Sequence, residues 1–141
     1  MTIDARWSVF SDDGSERGEN MLVADESALP RLVDRLADPA ADLARLIHRE
    51  RPLWDEQQGF FDHDVYATVV EGFGYLSYQD RDHDKAYPVG EAESPGCEFE
   101  DDDFPPGAGL PLDTFTAALT EWLQTRERPT NVQWREFDLD A

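Results

Sequence analysis

The chain has 141 residues, which suits one domain built on one core. Thirty-two acidic side chains face twelve basic ones, a formal net charge of -20, which argues against nucleic acid and anionic membrane as partners and favours cationic proteins and metal ions. Hydrophobic residues make up 40%, with four Trp and eight Phe, so the charge does not mark an acidic disordered tail. The stretch Met1–Arg6 shows no basic segment leading into an apolar one, and no apolar run approaches the ~18 residues of a membrane span. Cys97 is the sole cysteine, so no disulfide forms within the chain. These features predict a cytoplasmic protein.

Ala5 to Phe10 alternates around Trp7 and Val9 and reads as a strand. Ser11–Ser15 is a turn cluster, and Asn20–Ala24 reads as the return strand of a hairpin. Asp25 or Ser27 then caps a helix whose apolar face is Leu29, Leu32, Val33 and Leu36. Pro30 falls in its first turn, where a missing N–H matters little, and Asp38-Pro39 ends it. Between Asp42 and Glu50, Leu43, Leu46 and Ile47 fit a helix stripe while Leu43, Arg45 and Ile47 fit a strand; the reading taken is a strand. Pro52–Asp64 reads as a loop with exposed aromatics at Trp54, Phe60 and Phe61.

Val65–Val70 and Tyr75–Tyr78 read as successive strands across Gly72 and Gly74, and Ala86–Val89 pairs back after the Asp80–Lys85 turn. Glu91–Asp103 is acidic and irregular, with a short strand near Cys97–Phe99. Pro105–Gly109 breaks the chain before a second helix, which starts near Pro111 with the stripe Leu112, Phe115, Leu119, Trp122 and Leu123. Arg126 and Arg128 suit its C-terminal end, and Pro129 stops it. Asn131–Phe137 alternates as a closing strand, with Trp134 assigned to the core. The predicted fold is α+β: a mostly antiparallel sheet packed against two amphipathic helices on one side.

The sharpest local pattern for chemistry is Asp80, Asp82, Asp84 and Glu91, with carboxylates at positions one, three, five and twelve of a calcium-loop spacing. Lys85 stands where that loop needs glycine, and the flanks read as strands rather than helices, so an Asp-rich hairpin turn is the plainer reading. His48, His63 and His83 show no zinc spacing and read as surface histidines. Glu98 beside Cys97 disfavours a thiolate nucleophile. No nucleophile–base pair or cofactor motif emerges, so neither catalysis nor a cofactor is predicted.

The acidic stretch is the remaining signal. Residues 80–104 hold ten acidic groups against Arg81 and Lys85, and Phe99 and Phe104 are interleaved with them. A solvated loop and a docking surface are both compatible with such a run. On the docking reading, carboxylates steer a basic partner and aromatics anchor it.

In the C-terminal half, five segments occur in a distinctive order: Gly74-Tyr75-Leu76-Ser77-Tyr78; Tyr87-Pro88-Val89-Gly90; Phe104 through Leu112; Ala117 through Leu123; and Arg128 through Trp134. Their order and spacing resemble the first-numbered of the immunity-protein (Imm) families of bacterial polymorphic toxin systems, well over 65–137 and in element order over 5–50. A glycine is expected where the second helix ends, but this chain has Arg126-Glu127-Arg128, and its loop 52–64 is longer than usual. The resemblance implies an immunity protein encoded beside a toxin, often of the nucleic-acid deaminase superfamily. Such toxins bind polyanions, so a basic cleft would meet an acidic inhibitor.

The predicted function is therefore non-covalent occlusion of a cognate toxin with a basic surface. The predicted contacts are Glu98, Glu100, Asp101, Asp102 and Asp103, with Trp54 and Phe61 as anchors. The alternatives are a small acidic metal- or ligand-binding module on the Asp80–Glu91 loop, and an acidic nucleic-acid mimic that binds a basic protein.

Overall fold

The computed structural model describes residues 1–100 and 102–137. Asp101, one of the predicted contacts, lies outside the described residues. In chain order the elements are β1 (Ile3–Phe10), β2 (Glu16–Val23), α1 (Leu29–Leu36), β3 (Ala44–His48), β4 (Leu53–Asp55), β5 (Phe60–Phe61), β6 (Asp64–Val70), β7 (Phe73–Asp80), β8 (His83–Pro88), β9 (Cys97–Glu98), β10 (Asp103–Phe104), β11 (Leu110–Pro111), α2 (Leu112–Thr125) and β12 (Trp134–Glu136).

The main sheet runs β12-β8-β7-β6-β3-β1-β2, with the short β11 added to β7, and its pairings are antiparallel. This is the α+β arrangement that the sequence predicts. Strand alternation sends Ile3, Ala5, Trp7 and Val9 of β1 to one face, together with Leu46, Val65, Ala67, Leu76 and Tyr78 of its neighbours. Both helices lay their stripes on that face. Leu29, Leu32, Val33 and Leu36 of α1 are buried, as are Phe115, Ala118, Leu119, Trp122 and Leu123 of α2. Asp25 is the cap at the first helix entry: its carboxylate accepts from the Ser27 N–H at 2.8 Å and closes a single 3-10 turn that leads into α1. Trp134 is half-buried rather than central, packed against this core through the ring of Tyr78.

One close approach sets how α2 sits. Gly74 of β7 lies directly beneath Phe115, and a Cβ there would stand 2.1 Å from the Phe115 ring. The absent side chain lets the helix come down onto the strand.

The opposite face of β7 is also covered, which explains why Gly74–Tyr78 is buried throughout instead of alternating. The segment 91–109 folds over it. Tyr75, Phe104, Ala108 and Leu43 form a second, smaller core. Ser94 organises the segment: its hydroxyl donates to the Glu91 carbonyl at 2.7 Å and accepts from the Gly109 N–H at 2.9 Å. The Tyr75 hydroxyl donates to the Pro95 carbonyl at 2.5 Å. Within the segment, β9 and β10 form a two-stranded antiparallel ribbon. The acidic stretch is thus a built layer, not an irregular loop.

The stretch 52–64 also departs from the loop that the sequence suggests. It is a bulged hairpin of β4 and β5. The Asp55 carboxylate accepts from the N–H groups of Gln57 and Gln58, and Gly59 takes φ 74 to complete the turn. At the end of α2, Arg126 occupies the left-handed conformation with φ 67, the place where glycine is favoured. Among the described residues no helix is long and apolar enough to cross a membrane.

Two substitutions should move stability in opposite directions. Gly74→Ala forces Phe115 or β7 to shift and is expected to lower the unfolding free energy by about 1–3 kcal/mol. Arg126→Gly relieves the left-handed backbone and is expected to raise it by about 1 kcal/mol. Urea unfolding followed by tryptophan fluorescence measures both.

Candidate functional site

The β4–β5 hairpin presents the largest exposed rings. Trp54 is 69% and Phe60 61% exposed, while Phe61 turns inward and meets His63 edge to face at 5.8 Å. The sequence nominated Trp54 and Phe61 as anchors; the geometry presents Trp54 and Phe60. Alternation decides this, because adjacent residues on a strand face opposite ways. Exposed carboxylates of Glu56, Asp82, Asp84 and Glu127 lie on the hairpin and on the neighbouring turns.

The hairpin is pinned from below by Arg51. Its guanidinium grips Asp62 bidentately, with Nε donating to Oδ1 at 2.9 Å and Nη2 to Oδ2 at 2.7 Å. The same fork lies 3.6 Å from Asp80 and 3.6 Å from Glu127, and donates to the Arg126 carbonyl at 2.8 Å. Arg81 completes the clamp. It donates to Asp62 at 3.0 Å and to the Leu53 carbonyl at 3.1 Å, and its guanidinium stands 5.8 Å from the centre of the Trp54 ring. Hydrogen bonding to Asp62 holds Arg51 protonated more firmly than usual. Burial pushes the Asp62 carboxyl up, but Arg51 and His63 outweigh it and leave it below the ordinary range. Asp80 follows the same pattern: burial opposes ionisation, while the Tyr78 hydroxyl at 2.7 Å, the Asp82 N–H and His83 together prevail. Burial, then the bond to Asp80, raises the Tyr78 phenol far above its usual value.

Asp80 is therefore turned inward, and Arg81-Asp82 make the tight hairpin turn between β7 and β8, with Asp84 and Lys85 already on β8. Among the described residues no three His, Cys, Asp or Glu side chains converge to hold a metal ion.

The histidines also differ from their surface reading. His48 and His63 are buried at 0% and 3% exposure, and His83 is half-buried against Asp80. The His48 Nε2 faces the Leu123 carbonyl at 3.0 Å, which only accepts, so the proton sits there and Nδ1 accepts from the Glu50 N–H. The His48 backbone N–H donates to His63 Nε2 at 3.0 Å, leaving the His63 proton on Nδ1, directed at Asp62. Both rings are neutral and pack edge-on against Trp122. Burial is the main reason both lie below their ordinary value.

The acidic segment separates into two kinds of residue. Glu98, Glu100 and Asp103 are exposed. Asp102 is 7% exposed and faces the sheet, where it accepts from the Ser77 hydroxyl at 2.7 Å and from Lys85 at 2.8 Å. It fastens the segment to β7 and β8. Cys97 is half-buried, and its thiol is pushed up to about 11, first by burial and then by Asp103 rather than by Glu98. The thiol stays protonated near neutral pH.

The neutral histidines give a pH dependence. The unfolded chain takes up protons at both below its ordinary 6.5, while the folded rings resist. More protons bind to the unfolded state, so stability is full above that pH and falls as pH drops through the depressed values. Asp62 and Asp80, also depressed, add to the loss only below about pH 4. Urea midpoints measured between about pH 7 and pH 5 should decline, and His63→Gln should flatten the decline.

Comparison with known proteins fits the arrangement. No curated protein matches the chain. A family model, Immunity protein Imm1, matches residues 17–136. The match takes in the pinned hairpin, the covering segment, α2 and β12. The chain therefore belongs to the Imm1 family of immunity proteins.

Proposed function

We propose that this chain neutralises a cognate toxin in the cytoplasm by non-covalent occlusion, without catalysis, and that the toxin acts on nucleic acid, as a deaminase does. Family membership supports the immunity role. The observation that carries the rest is electrostatic: a charge of -20 is matched to a partner whose cleft is built for a polyanion, and it repels nucleic acid itself.

The proposed contact surface has two parts. Glu98, Glu100 and Asp103 steer the partner, and the exposed rings Trp54 and Phe60 supply desolvated anchors. Asp102 supports the surface from beneath through Ser77 and Lys85. The clamp of Arg51, Asp62 and Arg81 holds the aromatic hairpin in one geometry, which limits the ordering penalty on binding.

Coexpression with the product of the adjacent gene tests the role directly: a stable complex and restored cell growth are expected. Within that complex, Glu98→Lys, Glu100→Lys and Asp103→Lys together should slow association about tenfold at low salt and flatten its salt dependence. Trp54→Ala with Phe60→Ala should instead raise the dissociation rate by about tenfold or more. If the triple charge reversal leaves association unchanged, the acidic segment is not the interface.

A further inference from the structure

A groove of about 880 Å³ lies between β8, Phe137 just beyond β12 and the β9–β10 ribbon. Its walls are the rings of Tyr87 and Phe137, which meet edge to face at 4.8 Å, and its floor is the buried Phe104. Glu98 and Asp103 stand on its rim. They are register partners in the ribbon, so their side chains project from the same face and oppose each other directly. Like charges placed that way destabilise a ribbon, and among the described residues neither carboxylate has a cation to relieve it. Lys85 is committed to Asp102, with its ammonium 5.0 Å from the centre of the Phe137 ring.

A pair of opposed, unpaired carboxylates is a local conflict that the fold retains beside an aromatic cavity. Aromatic faces and carboxylates together favour a flat, weakly hydrated cation, which is a guanidinium more than an ammonium. We infer that this groove receives an arginine side chain of the partner protein, stacked on Tyr87 and Phe137 and paired with Glu98 and Asp103. The inference rests on the immunity reading for the identity of the partner, and assigns the chemistry of one contact within it. The neutral Cys97 thiol on the groove wall adds no competing charge.

The test uses the full chain and no toxin. The probe is the blocked tripeptide Gly-Arg-Gly, with its citrulline counterpart as the uncharged isostere, each titrated while NMR follows the side-chain resonances of Tyr87, Phe104 and Cys97. Saturable shifts are expected with the arginine peptide, and about tenfold weaker binding with citrulline. Glu98→Gln with Asp103→Asn should abolish that preference; because this pair removes a repulsion, the fold should hold, and an unchanged urea midpoint or a higher one verifies it. Equal response to both peptides, or a preference that survives the double substitution, overturns the inference. So does arginine binding seen only after truncation beyond Phe137, since the chain's own end would then be the occupant. Toxin neutralisation with no peptide preference sinks the groove alone. Peptide preference with no neutralisation sinks the immunity reading alone.

Discussion

Everything on the aromatic side of the molecule depends on Arg51 holding Asp62. One guanidinium ties the strand end after β3 to the hairpin, to the β7–β8 turn and to the C-terminal end of α2. Both partners are buried, so the pair is not a surface ornament. Removing one member of such a pair costs about 3–5 kcal/mol, because the other charge is stranded. The pair also determines neighbours it does not touch. With Asp62 ionised and satisfied by Arg51 and Arg81, His63 can stay neutral and donate its Nδ1–H to the same carboxylate, and His48 can pack on Trp122 without charge. The left-handed Arg126 is tolerated in this setting, since its carbonyl is one of the groups that Arg51 binds.

The parts of the fold that follow from periodicity were legible in the sequence. The stripes of α1 and α2 appear at helical spacing, and each predicted apolar position of α1 is buried. Alternation placed the first hairpin and the strand in 42–50. What resisted reading was pairing over distance. Phe61-Asp62-His63-Asp64 looks like a solvated turn, because nothing in its spacing reveals Arg51 eleven residues earlier or Arg81 nineteen later. The signal that was present is the odd placement of two arginines beside aromatic and acidic runs. Asp102 was hidden for the same reason: within a row of acids it resembles its neighbours, and only Lys85 and Ser77 distinguish it. Phe61 was taken over Phe60 because the residues alone do not say which of two adjacent rings a strand turns outward.

The electrostatics sharpen in the same way. The total charge describes a field, but the cations decide where that field emerges. Arg6 and Arg49 converge on the buried Asp4, Arg17 pairs with Glu19, Arg45 with Asp64, and Lys85 with Asp102. The scarce positive groups are largely spent on holding carboxylates inside or against the fold. Surplus acids are consequently left exposed on turns and on the covering segment, among them Glu56, Asp82, Asp84, Glu98, Glu100 and Asp103.

The strand β2 closes one end of the sheet and, among the described residues, has no neighbour on its outer side. Such an edge invites other chains to extend it, yet its first half carries Glu16, Arg17 and Glu19 around Gly18. A row of charges along the open ladder discourages two copies of the chain from zipping together. The same residues guard the edge against fibril-like stacking, while the exposed rings Trp54 and Phe60 stand on a separate hairpin.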